Sequence, residues 1–295
     1  MNISIESYET LQSISECTWD IGFFGKAIDE RGREIVDFLK NRCGKSFFVQ
    51  YNPIDFVLTI EGVDINNEAL FFQTFNKLKI LIESTTLGLN EIFKLVNNLN
   101  LELVDILYIQ PKDYLKEDNS ELSPFRNFNL SHSLAGFYPI TERMIEINSN
   151  EKIKLVIVLG YENYRIDRLF EHFELNPSRC ELICGLPAYQ AGWELNTFSN
   201  NVTTLIEKRI SNNINYSDAS NPFSIFTILE DIYQSLDSTE KMLIFPIGTK
   251  PHIIGVILFL KKYENASIIY DHPIEVTGRT KSIGRIFLYK YGYFS

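Results

Sequence analysis

The chain has 295 residues, 45% of them apolar and 22% charged, with a formal net charge of −10. These values lie in the ordinary globular range, suit one large α/β domain or two smaller ones, and argue against disorder over any long span. The acidic balance opposes non-specific binding to long nucleic acid or to anionic membrane surfaces, because the long-range field repels phosphate; an anionic ligand must be held at short range in a concave site.

From the N-terminus, MNISIESYETLQ has no basic stretch leading into an apolar one, so no signal peptide is expected. No run of 18 apolar residues predicts a membrane span, and the expected location is the cytoplasm. The first predicted strand is TWDIGFF (18–24), followed by GKAIDERG and a helix over REIVDFLKNR, in which Ile35, Phe38 and Leu39 share a face. SFFVQY (46–51) is a second strand, and DFVLTIEGVDI (55–65) reads as a hairpin turning at Glu61-Gly62. LKILIEST (78–85) is nearly all apolar, as a strand covered on both sides must be, and leads into a helix and the strand VDILYIQP (104–111). Residues 112–150 are irregular, polar and aromatic, too long for a plain connector, and read as a functional loop or lid.

The alternation restarts with IKLVIVLG (153–160), a helix over YENYRIDRLFEHFE, and the strand CELICGLP (180–187). A second long loop, AYQAGWELNTFSN, precedes VTTLIEKRI, and NPFSIFTILEDIYQSL is a helix with Asn221 as N-cap and Pro222 in its first turn. MLIFPIG is a strand, HIIGVILFLKKY a helix, and ASIIYDHP (266–273) and RIFLYKYGYF (285–294) are the last strands. Strand and helix in alternation predict an α/β fold with a mostly parallel, doubly wound sheet, arranged as two Rossmann-like halves at 1–150 and 151–295. GKAIDERGREIVDFL and GYENYRIDRLFEHF echo each other, each a glycine leading through a mixed charged cluster into a helix.

In such a sheet the ligand crevice lies beyond the carboxyl ends of the strands, which selects the loops to read. In PIGTKP, Gly248 permits close backbone approach, Thr249 brings a hydroxyl and Lys250 a full charge, all where a helix begins and its dipole favours an anion. Thr85 and Thr86 stand in the same position after another strand, where helix capping is the simpler reading. VTGRTKSIGR gathers Arg279, Lys281 and Arg285 between glycines and suits phosphate, or else is a solvated hairpin loop. Tyr189 and Trp193 would flank the organic part of a ligand, or are core aromatics. The catalytic candidates are Asp29 and Glu30 at a helix start, where helix stabilisation is the simpler reading, and Asp271 with His272 after a strand. The four histidines are scattered and no HExxH or zinc-knuckle spacing occurs, so no metal site is expected and no cofactor is indicated. Cys180 and Cys184 share one face of a strand and read, with Cys17 and Cys43, as free thiols of a reducing compartment.

A strand, then Gly248-Thr249-Lys250, then an apolar helix resembles the CARF domains, Rossmann-like ligand sensors of prokaryotic antiviral systems. The resemblance implies a nucleotide-type ligand bound by that loop, and often a symmetric dimer. The expectation is therefore a Rossmann-like protein binding a small phosphorylated or nucleotide-type ligand at the strand rim, with a homodimer mate or a defence-system protein as partner. The alternatives are a nucleotide-directed transferase or hydrolase, and an interaction subunit of a defence assembly that docks through 112–150.

Overall fold

The structure is a computed structural model in which residues 2–14, 17–115, 128, 130–140 and 152–292 are described. In chain order the elements are β1 (Asn2–Tyr8), β2 (Trp19–Phe24), α1 (Glu30–Arg42), β3 (Cys43–Asn52), β4 (Val57–Ile60), β5 (Val63–Asp64), α2 (Glu68–Gln73), β6 (Ile80–Glu83), α3 (Leu89–Asn98) and β7 (Val104–Tyr114). They continue with β8 (Ser131–Leu134), β9 (Lys152–Val158), α4 (Tyr164–His172), β10 (Cys180–Gly185), α5 (Trp193–Glu207), β11 (Ile214–Ser217) and α6 (Pro222–Gln234). The last are β12 (Glu240–Pro246), α7 (Lys250–Lys262), β13 (Ala266–Ile268), β14 (Pro273–Glu275) and β15 (Thr280–Gly292). The described residues fall into two compact units, one running to Leu115 and resuming at Val276, the other lying between these points and ending at Glu275.

The first unit is built on an eight-stranded mixed sheet, ordered β1-β15-β7-β6-β2-β3-β4-β5. Its centre, β7-β6-β2-β3, is parallel. Antiparallel strands flank it: β15 and β1 on one side, β4 and β5 on the other. The expected hairpin turn is present, with Glu61 and Gly62 both at positive φ (52° and 76°), the primed geometry that matches strand twist. β6 is buried at all four positions. Trp19, Ile35, Leu39, Leu81, Leu107, Ile109, Ile286 and Leu288 form one core cluster, so the last strand packs under α1.

The second unit holds a five-stranded sheet, ordered β11-β10-β9-β12-β13 and parallel throughout. Counted in chain order this is 3-2-1-4-5, with the reversal between β9 and β12. Leu155, Ile157, Leu243 and Phe245 join Ile166, Leu169 and Leu205 of α4 and α5 in one core cluster. The alternate residues Val156, Val158 and Ile244 are buried as well, so both faces of these strands are covered. α7 is buried without interruption from Pro251 to Leu260, which makes it an interior helix rather than a surface one. Asn221 caps α6 as expected, accepting from the amides of Phe223 and Ser224. A short antiparallel pair, β8 with β14, completes the unit.

Three expectations are corrected. The sheet that begins the chain is mixed rather than mostly parallel, because the hairpin and both terminal strands add antiparallel edges to it. The boundary near residue 150 is displaced, because β15 pairs with β7 and β1 and so belongs to the first unit. The loop before α5 is shorter than expected: the helix starts at Trp193, because Asn196, Thr197, Asn201 and Thr204 are buried despite their polarity. Within the expected 112–150 loop, β7 extends to Tyr114 and β8 occupies Ser131–Leu134; 116–127, 129 and 141–150 lie outside the described residues, as do 293 and 294 of the last predicted strand.

Candidate functional site

In the second unit the strand order reverses between β9 and β12, the position at which open parallel sheets form their ligand crevice. The loop after β9 carries Gly160 and the loop after β12 carries Gly248. They approach so closely that a Cβ on Gly160 would lie 2.0 Å from the Ile247 carbonyl oxygen. One on Gly248 would lie 2.8 Å from Val158 Cγ1 and 3.1 Å from the Leu159 carbonyl. Ile247 is tied back to the sheet by its amide, 3.0 Å from the Val158 carbonyl. The amides of Gly160, Gly248 and Thr249 donate to no acceptor among the described residues. Unpaired main-chain donors beside a helix N-terminus favour an anion.

The surroundings hold these loops rigidly. Thr249 caps α7, accepting from the His252 amide at 3.4 Å, and its hydroxyl donates to the Ala219 carbonyl at 2.7 Å. The expected hydroxyl contact to a ligand is therefore already spent within the fold, and its amide is what the residue has to offer. Lys250 is the first residue of α7 and half-buried. His252 is fully buried, with Nε2 3.1 Å from the Asp218 carbonyl and no hydrogen-bond partner for Nδ1 among the described residues. Burial pushes its pKa down to about 4, so the ring is neutral. Buried Asn201 donates from Nδ2 to the carbonyls of Gly160 (2.8 Å) and Thr197 (2.7 Å), which fixes the β9 loop.

Tyr189 is half-buried in the loop after β10, on the same rim. Trp193 is different: its side chain is interior, as the first residue of α5, and its carbonyl accepts from the Tyr161 hydroxyl at 3.5 Å. Asp271 is wholly buried and accepts both Nε (2.8 Å) and NH2 of Arg165. His272 is 2.9 Å through Nε2 from the Tyr138 carbonyl, at φ 47°, and burial lowers its pKa. These contacts account for both residues within the fold. A separate cleft of about 410 Å³ is walled by Phe137, by Arg168, Glu171 and His172 of α4, and by the catalytic candidate Asp271; it shares no residue with the loops after β9 and β12.

The remaining candidates belong to the first unit. There the parallel order reverses between β2 and β6, and a Cβ on Gly25 would lie 2.5 Å from the Thr86 carbonyl oxygen. Thr86 Oγ1 accepts from the Gly25 amide at 2.8 Å, and Thr85 Oγ1 from the Ile109 amide at 3.0 Å. The amides of Thr85 and Thr86 both donate to the Glu83 carboxylate. Asp29 caps α1 through the Gly32 amide and pairs with Arg31 at 2.8 Å, while Thr280 donates to it. Burial pushes the Asp29 carboxyl up, but the Arg31 charge and these hydrogen bonds outweigh it and hold it below the usual range. Glu30 is exposed in the first turn of α1. The cationic stretch is not a loop: β15 starts at Thr280, leaving Arg279 in the turn before it and exposed Lys281 and Arg285 in the strand. Arg285 faces exposed Glu9 at 3.7 Å.

Asn201, His252 and Glu83 carry no signal of this kind in the sequence; Gly160 shows there only as the glycine that opens GYENYRIDRLFEHF. Among the described residues, no cluster of three or more His, Cys, Asp or Glu is placed to hold a metal ion, and no helix is long and apolar enough to cross a membrane. The four cysteines are free, and burial pushes the Cys43, Cys180 and Cys184 thiols up to about 12. The chain matches no protein-family model and no curated protein.

Proposed function

We propose that the second unit is a Rossmann-like module that binds a small phosphorylated or nucleotide-type ligand in the crevice between the loops after β9 and β12. The observation that carries this reading is the group of amides on Gly160, Gly248 and Thr249 that meet no acceptor among the described residues, set where the strand order reverses. Lys250 supplies charge at the N-terminus of α7, and Tyr189 supplies an aromatic surface on the same rim. The reading needs no residue of the first unit. The resemblance of Gly248-Thr249-Lys250 to CARF loops supports a sensing role in antiviral defence over turnover. The internal partners of Asp271 and His272 point the same way.

Calorimetry with a panel of nucleotides and inorganic phosphate tests it. Lys250→Ala should weaken binding of the preferred anion by about tenfold or more, the value of one charge-assisted contact. Equal affinity in wild type and variant would refute the assignment.

A further inference from the structure

We infer that the first unit contains a second oxyanion crevice of the same build, kept filled by the protein's own Glu83 carboxylate. The inference rests on the reading of the second unit in one respect, the equivalence of the two crevices. Each lies where its parallel strands reverse order. Each is narrowed by a glycine that admits no Cβ against a carbonyl of the facing loop, Gly25 against Thr86 and Gly160 against Ile247.

They differ in what their loop donors meet. In the second unit the amides have no acceptor among the described residues. In the first, the amides of Thr85 and Thr86 and the Thr86 hydroxyl all converge on Glu83. That carboxylate is fully buried, and no described lysine, arginine or histidine lies within ion-pair distance of it. Burial raises the pKa of this carboxyl and the hydrogen bonds from Thr85 and Thr86 oppose that rise, so holding it ionised with neutral donors alone is costly; the arrangement resembles the way proteins bind free oxyanions through main-chain amides. Glu83 ends β6, so its side chain reaches the crevice by folding back over the next three residues. The chain therefore has one open oxyanion site and one closed by an internal group of formate size.

The test uses the full chain with Glu83→Ala and Glu83→Gln, each also combined with Lys250→Ala, melted in sodium formate, inorganic phosphate or sodium chloride at matched ionic strength. Glu83→Ala leaves the donors and a space for formate, so its melting temperature should rise by about 2–4 °C more in formate than that of wild type. Glu83→Gln fills the same volume and should show no extra rise. If Glu83→Ala does not fold in chloride, its soluble yield on refolding in formate against chloride is read instead. Loss of the wild-type phosphate response on Lys250→Ala concerns the second unit alone and leaves the Ala-against-Gln difference intact. An equal formate response in wild type, Glu83→Gln and Glu83→Ala would overturn the inference.

Discussion

Arg165 forks onto Asp271 inside the second unit, its Nε 2.8 Å from the carboxylate, with the side chain of Asp271 completely shielded from solvent. The guanidinium also lies 5.6 Å from the Tyr270 ring centre and 6.0 Å from that of Phe245. Asp271→Asn leaves a buried guanidinium without its counter-charge, so it should lower stability by about 3–5 kcal/mol in a denaturant melt. A loss under about 1 kcal/mol would show that the pair is more hydrated than its burial indicates.

Gly160 is a sharper probe of the crevice than any charged residue. A methyl group there meets the Ile247 carbonyl, so Gly160→Ala must push apart the two loops that hold the open amides. The expected result is at least tenfold weaker anion binding with a stability loss of about 1–3 kcal/mol. Circular dichroism would confirm that the fold persists, and unchanged affinity would separate the loops from the binding reaction.

His252 sets a pH dependence. Its folded pKa is about 4, lowered by burial, against about 6.5 when unfolded. The neutral ring is favoured in the fold, so its contribution is complete above pH 6.5 and lost as pH falls towards 4. The slope over that window integrates to about 3 kcal/mol at most. Urea melts from pH 7 to 4 should show this decline in wild type and a flatter profile in His252→Gln. Parallel profiles would place the acid sensitivity elsewhere.

The α6–α7 contact is made through Gly255. A Cβ there would lie 2.3 Å from the Pro222 carbonyl oxygen and 2.4 Å from Ile225 Cγ2. Alanine improves helix propensity by about 1 kcal/mol, but here the overpacking penalty is larger. Gly255→Ala should therefore lower stability by about 1–2 kcal/mol, and a stabilised variant would mean that the helices separate freely.

Much of the fold was legible because it rests on local pattern. The apolar run at 80–82, the Glu61-Gly62 turn and the Asn221-Pro222 helix start each declare themselves within a few residues. What was hidden depends on partners distant in sequence. Nothing in RIFLYKYGYF says that it pairs with Asn2–Tyr8, and nothing around Asn201 says that its amide holds the carbonyl of Gly160. The Gly248-Thr249-Lys250 loop was readable as a candidate because glycine, hydroxyl and lysine stand together after a strand. The commitment of Thr85, Thr86 and Thr249 to internal hydrogen-bond partners was not, because hydroxyl and amide bonding is decided by neighbours that composition does not reveal.

The placement of β15 between β7 and β1 has a consequence for biosynthesis. On a ribosome adding roughly 5–20 residues per second, β1 and β7 emerge early and then wait roughly ten to thirty seconds while residues 116–275 are made. Until Thr280–Gly292 arrives, both nascent strands present bare ladder edges, the form most prone to pairing with another chain. Translation pauses within that window would hurt yield more than pauses after it.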